Sequence, residues 1–260
     1  MTNTEYHAHK AVSKSDLDLI HRSPLHYRSA KEMPREQTET LLLGSVVHKL
    51  VLEPEDFDNE YAVAPTCDRR TKEGKAVWND FTAAAKDMTV VSDVIYQKAK
   101  NIADSVINHP VAKKLLVNGT AEQSFFWTED GVECKCRPDY LRNDGIIIDL
   151  KTTQDASPEA FTKSAYNYRY HVQSWWYMHG LQENGIAANN FIFIAVEKEA
   201  PYAVCVYAAD NLMLELGEKE ARADLEVYRN CLMSDVWYGY EKNPQIHSLS
   251  LPDWVARKEF

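Results

Sequence analysis

The chain has 260 residues, 45% of them hydrophobic and 11% aromatic, enough for a globular core. No apolar run approaches the roughly 18 residues that span a bilayer. The opening Met1-Thr2-Asn3-Thr4-Glu5 is too polar for a signal-peptide core, so a soluble cytoplasmic protein is expected. A net charge of −10 argues against coating nucleic acid by bulk electrostatics, though not against gripping it in a local basic channel.

In chain order, Ser13-Lys14-Ser15-Asp16-Leu17 caps a helix that should end near Ser23-Pro24. Arg22, Arg28, Lys31 and Arg35 follow as a modestly basic stretch, which suits a solvated face or contact with phosphates. Thr38 to Glu53 reads as a helix that stops before Pro54. Gly44 and His48, at i and i+4, share one face of it. An interior glycine costs a helix about 1 kcal/mol, which close approach of a backbone or substrate would explain. His48 then lies one turn along that face, as a hydrogen-bonded core residue or as a ligand. Residues 55 to 65 read as a short strand and loop. Residues 71 to 86 and 92 to 116 read as helices, the second broken at Pro110.

Thr120 to Trp127 alternates as a strand and turns at Asp130-Gly131 into a second strand, Val132 to Arg137. Glu122, on the first, is either a surface residue or within reach of a site. Next, Arg137-Pro138-Asp139-Tyr140 leads through the hairpin signal Asn143-Asp144-Gly145 into Ile146-Ile147-Ile148-Asp149-Leu150-Lys151. Strand alternation points Ile146, Ile148 and Leu150 one way and Ile147, Asp149 and Lys151 the other. The hairpin folds Asp139 back beside Asp149, so two carboxylates and a lysine converge, as metal-assisted phosphodiester hydrolysis requires. An Asp-x-Lys pair at a strand end is also what a solvated surface pair looks like.

Ser157-Pro158 starts a further helix. The next one contains Gln173 and Tyr177, again i and i+4, which suits either core packing or holding a water or phosphate. Phe191 to Val196 and Ala203 to Ala208 read as strands, and Asn211 to Cys231 as a long amphipathic helix. The aromatic tail from Trp237 to Trp254 should pack back on the body. Cys67, Cys134, Cys136, Cys205 and Cys231 are odd in number and scattered, with no Cys-x-x-Cys. Neither a disulfide framework nor a zinc knuckle is expected. Without repeats or a clear linker, one domain over 1–260 is expected. Its parts are N-terminal helices with the histidine (1–55), a catalytic sheet with helices (118–209), and a C-terminal helix and tail (210–260).

Gly44-x-x-x-His48, Pro138-Asp139, Asp149-Leu150-Lys151 and Gln173-x-x-x-Tyr177, in that order, resemble the PD-(D/E)xK nuclease superfamily. More closely, Ser15-Asp16-Leu17, Ser23-Pro24-x-His26-Tyr27, Leu52-Glu53-Pro54, Cys136-Arg137-Pro138-Asp139 and the tail Gly239-Tyr240 to Leu251-Pro252-x-Trp254 resemble the RecE-type exonuclease, or exonuclease VIII. The resemblance implies an α/β fold with a mixed central β-sheet flanked by helices. It implies a catalytic divalent metal, Mg²⁺ or possibly Mn²⁺, on Asp139, Asp149, His48 and the Leu150 carbonyl. It implies Lys151 as the group activating water, with Gln173 and Tyr177 supporting the site or contacting DNA. Further implications are 5′-to-3′ digestion of double-stranded DNA ends to leave 3′ tails, a RecT-like annealing partner often in prophages, and a homo-oligomeric ring whose basic inner wall suits an acidic chain. Two alternatives stand beside this. One is a CRISPR-associated or repair nuclease of the same fold, although only Cys231 lies where an iron–sulfur cluster would need three cysteines. The other is a non-catalytic DNA-binding protein of that fold.

Overall fold

A computed structural model describes residues 1–33 and 38–251. Arg35 of the basic stretch and the Pro252-x-Trp254 part of the tail motif lie outside the described residues. The chain opens with four helices: α1 (Asn3–Ala8), α2 (Lys14–Arg22), α3 (Pro24–Glu32) and α4 (Glu39–Leu52). The boundaries follow local chemistry. The Ser13 amide donates to Asp16 at 2.9 Å to open α2, and Pro24 occupies the first turn of α3, where no amide is needed. Thr38 Oγ1 accepts from the Leu41 amide to open α4.

The 55–65 stretch departs from the expected strand and loop. A 3₁₀ turn (Pro54–Asp56) and a single helical turn α5 (Phe57–Glu60) precede a strand of three residues, β1 (Tyr61–Val63). Phe57 stacks on Tyr61 at 5.3 Å and is buried, which favours the compact turn over an extended run. After α6 (Lys72–Ala84), β1 pairs in parallel with β2 (Thr89–Val91), a strand too short to signal itself in sequence. Helices α7 (Asp93–Asn108) and α8 (Ala112–Leu115) are separated at Pro110 as expected.

The expected strand from Thr120 to Trp127 is two strands, β3 (Gly119–Ala121) and β4 (Phe125–Glu129), in different sheets. The break comes at Glu122, whose φ of +51° turns the chain out of the first sheet. β4 pairs with β5 (Val132–Cys136) across the Asp130-Gly131 turn. Among the described residues the main sheet has the order β3-β6-β7-β8-β9, with β6 (Tyr140–Arg142), β7 (Ile146–Thr153), β8 (Asn190–Glu197) and β9 (Val204–Ala208). Only β7 and β8 run parallel, joined through α9 (Pro158–Asn167) and α10 (Tyr170–Glu183). The sheet is therefore mixed, as expected.

Two hydrophobic clusters lie on opposite faces of this sheet. Ile148, Leu150, Ile194 and Val196 pack with Val46 and Val47 of α4 and Ile102 of α7. Ile147, Phe191 and Phe193 pack with Val172 and Trp176 of α10, with Trp127 of the hairpin, and with Ala221 and Leu225 of α11 (Asn211–Ser234). The alternation read from β7 is thus met residue by residue. Of the tail, Trp237 stacks on Tyr27 at 5.4 Å.

The α10–α11 contact depends on Gly217, where an added Cβ would lie 2.1 Å from the His171 carbonyl oxygen. Alanine gains at most about 1 kcal/mol of helix propensity there, whereas a backbone overlap this deep costs on the order of 3 kcal/mol. Gly217→Ala should therefore lower the melting temperature by roughly 4–8 °C. An unchanged thermal melt would show that the helices do not approach as closely as described.

Candidate metal and catalytic site

Register assembles the site. Ala121 faces Tyr140 across β3–β6, and Tyr140 faces Ile148 across β6–β7. One step further along both ladders, Glu122, Asp139 and Asp149 stand abreast on three neighbouring segments. The Glu122 amide donates to the Asp139 carbonyl at 3.1 Å. The Leu150 amide donates to Asp139 Oδ2 at 2.7 Å, fixing that carboxylate against β7. The register is set by the turn at residues 143–145, where Gly145 has φ +78° and lies against the Ala187 carbonyl.

Helix α4 brings His48 from the other side, with Nδ1 3.5 Å from Asp139 Oδ2. Ligand-capable atoms of His48, Glu122 and Asp139 all lie within 4.8 Å of one another, and all three residues are half-buried. Asp149 stands next to this group, only 1% exposed. Its Oδ1 accepts from Gln173 Nε2 at 2.5 Å, and its Oδ2 lies 2.5 Å from Lys151 Nζ. Glu122, left open in the sequence, joins His48 and Asp139, while Asp149 is turned toward Lys151 and Gln173. Leu150 presents its amide to Asp139, and in an extended strand its carbonyl faces the same edge.

Burial, and then the Asp139 charge, push the Glu122 carboxyl up to about 8, against the pull of Arg137 and Lys49. Burial pushes Asp149 up to about 6, with Lys151 opposing and Asp139 adding to the rise. Burial would lower Lys151, but the Asp149 and Asp139 carboxylates outweigh it and leave the amine above its usual value. The amine is thus a cation at neutral pH. Clustered carboxylates that resist ionisation together, with an imidazole beside them, match what a small divalent cation needs. Oxygen-rich donors suit Mg²⁺, and one nitrogen is tolerated, better by Mn²⁺.

Gln173 is buried and serves Asp149 directly. Tyr177 lines the same cleft as His48 and Asp139, and burial first, then Tyr6 and the two aspartates, keep its phenol protonated as a donor. The cleft holds about 760 Å³. Gly44 lines it too, but an added Cβ would only touch Thr152 Oγ1 at 3.7 Å, so no backbone approach requires the glycine. Gly44→Ala should raise the melting temperature by roughly 1–3 °C, and Gly44→Leu should obstruct the cleft while leaving the fold intact. A melt that falls with alanine would contradict this.

Sequence reasoning left Arg137 without a role. It is buried, donates to the Met1 carbonyl at 2.7 Å and to Asn3 Oδ1 at 3.3 Å, and lies 3.8 Å from Glu122. It ties the N-terminal segment to the rim of the cleft and faces Glu122 with positive charge. Its one sequence signal was adjacency to Pro138-Asp139.

A mixed sheet flanked by helices, with Asp139 in one strand's approach and Asp149-x-Lys151 in the next, defines the PD-(D/E)xK nuclease superfamily fold. The chain belongs to the family described as "PDDEXK-like domain of unknown function (DUF3799)", whose family model matches residues 13–245. Among solved structures it is similar to a "Putative exonuclease" from Eubacterium rectale, with a TM-score of 0.64, 12% identity, and 98% of this chain and 97% of that one covered. That likeness shows the fold. A phage related exonuclease from Haemophilus somnus aligns over 73% of this chain and 95% of its own, at 11% identity and a TM-score of 0.36. No curated protein matches by sequence. Among the described residues no helix is long and apolar enough to cross a membrane.

Proposed function

We propose that this protein is a divalent-metal-dependent exodeoxyribonuclease that digests linear duplex DNA from the 5′ end and leaves 3′ single-stranded tails. The observation that carries the reading is the juxtaposition, at one end of β6–β7, of the His48–Glu122–Asp139 group with the buried Asp149–Lys151 pair. His48, Glu122 and Asp139 would hold the cation, with the Leu150 carbonyl and a remaining lone pair of Asp149 as further donors. When bound, the cation supplies Lewis acidity, lowering the pKa of water and neutralising phosphate charge. Lys151, held cationic and aimed by Asp149, orients the attacking water and stabilises the negative charge that grows on the phosphate. Gln173 fixes Asp149 so that the amine does not wander, and Tyr177 offers a hydroxyl donor to the cleft.

The likeness of the ordered motifs to RecE-type exonucleases supports the polarity, a RecT-like annealing partner and a homo-oligomeric ring. A ring also reconciles a charge of −10 with DNA binding, because only the inner wall need be basic. The test is a time course on 5′- and 3′-labelled linear duplex with and without Mg²⁺. Metal-dependent early release of the 5′ label is expected. Early release of the 3′ label would overturn the polarity, and absence of any metal-dependent digestion would overturn the nuclease.

A further inference from the structure

The segment Tyr166-Asn167-Tyr168-Arg169-Tyr170 joins α9 to α10 at the mouth of the cleft. Arg169 adopts the left-handed conformation, φ +54°, which a bulky side chain resists. It is held there by charge. Its buried guanidinium pairs with Asp18 at 3.2 Å, Glu220 at 3.1 Å and Asp224 at 2.5 Å. This reversal leaves Tyr170 packed on Phe193, ring to ring at 5.5 Å, with Lys151 Nζ 4.8 Å above its ring. Tyr168 stacks on Tyr170 at 5.9 Å with planes 24° apart, yet it remains 65% exposed. Lys14 Nζ secures the backbone by donating to the Tyr168 carbonyl at 2.7 Å. A ladder thus runs from the candidate catalytic amine through Tyr170 to Tyr168 and ends in open solvent.

The outer rung does little for the core, but it is positioned by a buried ion network. It lines the same cleft as His48 and Asp139. At about 760 Å³ the cleft has the scale of a small-molecule site. That admits a short single strand more readily than an intact duplex. Stacking on an exposed aromatic face is one way proteins hold unpaired nucleic acid without reading its sequence.

We propose that Tyr168 is a stacking platform for a nucleobase of the strand being cut, so that this strand enters the cleft unpaired with its phosphate beside Lys151. The proposal rests on the nuclease reading above. The test uses duplex DNA carrying 2-aminopurine at successive positions from the 5′ end. Its terminal linkages are phosphorothioates, and Ca²⁺ replaces Mg²⁺ to suppress turnover. Wild-type protein should quench the fluorophore at one or two positions near the end. Tyr168→Ala should abolish that quenching and weaken binding about 5- to 100-fold, while Tyr168→Phe keeps both. Equal thermal melts for the three proteins, expected for so exposed a residue, would confirm that folding is unaffected. Quenching and affinity unchanged in Tyr168→Ala, with wild type binding and cutting DNA, would overturn the platform alone. Wild type that neither binds this duplex nor cuts unprotected duplex with Mg²⁺ would overturn the platform together with the nuclease reading.

Discussion

Lys151→Met should reduce Mg²⁺-dependent digestion of linear duplex by at least about 10²-fold, the order reached when a charge-stabilising donor is removed from a transition state. The change falls on kcat, because the amine is directed at charge that develops during reaction and not at the resting phosphate. The same substitution leaves Asp149, 1% exposed, without its cation. Burial already raises that carboxyl from 3.8 to about 6, and loss of the amine must raise it further. An acid whose folded pKa exceeds its unfolded pKa binds extra protons when folded. Stability is then lost as pH rises between those two values. In the wild type that window is about pH 4 to 6, and in Lys151→Met it extends upward through neutrality. The variant should therefore melt close to wild type at pH 5 and clearly lower at pH 8. Asp149→Asn should also lose digestion, but without the alkaline instability of an unpaired carboxylate. Undiminished digestion by Lys151→Met would remove the assigned chemistry. Equal melting of that variant at both pH values would remove the assigned pairing.

Glu122→Gln should behave in the opposite sense without metal. The Glu122 carboxyl is raised from 4.5 to about 8 by burial and by Asp139, so the wild type loses stability as pH climbs through that interval. Glutamine has no such ionisation. With the side chain about a quarter exposed (28%), screening trims the effect. Metal-free Glu122→Gln should be more stable than wild type by roughly 1–3 kcal/mol at pH 8.5 and indistinguishable at pH 5. Adding Mn²⁺ should reverse the order, because a ligand that binds the folded state stabilises it in proportion to its affinity. Titration calorimetry should show Mn²⁺ binding weakened at least about 10-fold, as expected on losing an anionic donor. Mn²⁺ binding equal to wild type would place Glu122 outside the metal group and return that role to Asp149.

The sequence alone determined what depends on neighbours along the chain. The alternation of Ile147, Asp149 and Lys151 against Ile148 and Leu150 is a property of any extended strand, and the two core clusters bear it out. Asn143-Asp144-Gly145 marked the hairpin because Gly145 takes a positive φ that few residues accept. The caps at Ser13 and Thr38, with Pro24 and Pro54, bounded α2 and α4 for the same local reasons, whereas α1 and α3 were not legible in the sequence. Tertiary structure decided the rest. Glu122 joins the site because two ladders add their registers and its own backbone turns left-handed where a strand was expected. Arg137 reaches the N-terminal segment, and β1 finds β2, across separations that leave no periodic trace. Tyr168 faces the cleft because an arginine buried among three carboxylates on two other helices holds a turn that its own sequence disfavours. Local chemistry sets which face a residue presents, whereas long-range packing sets what that face meets.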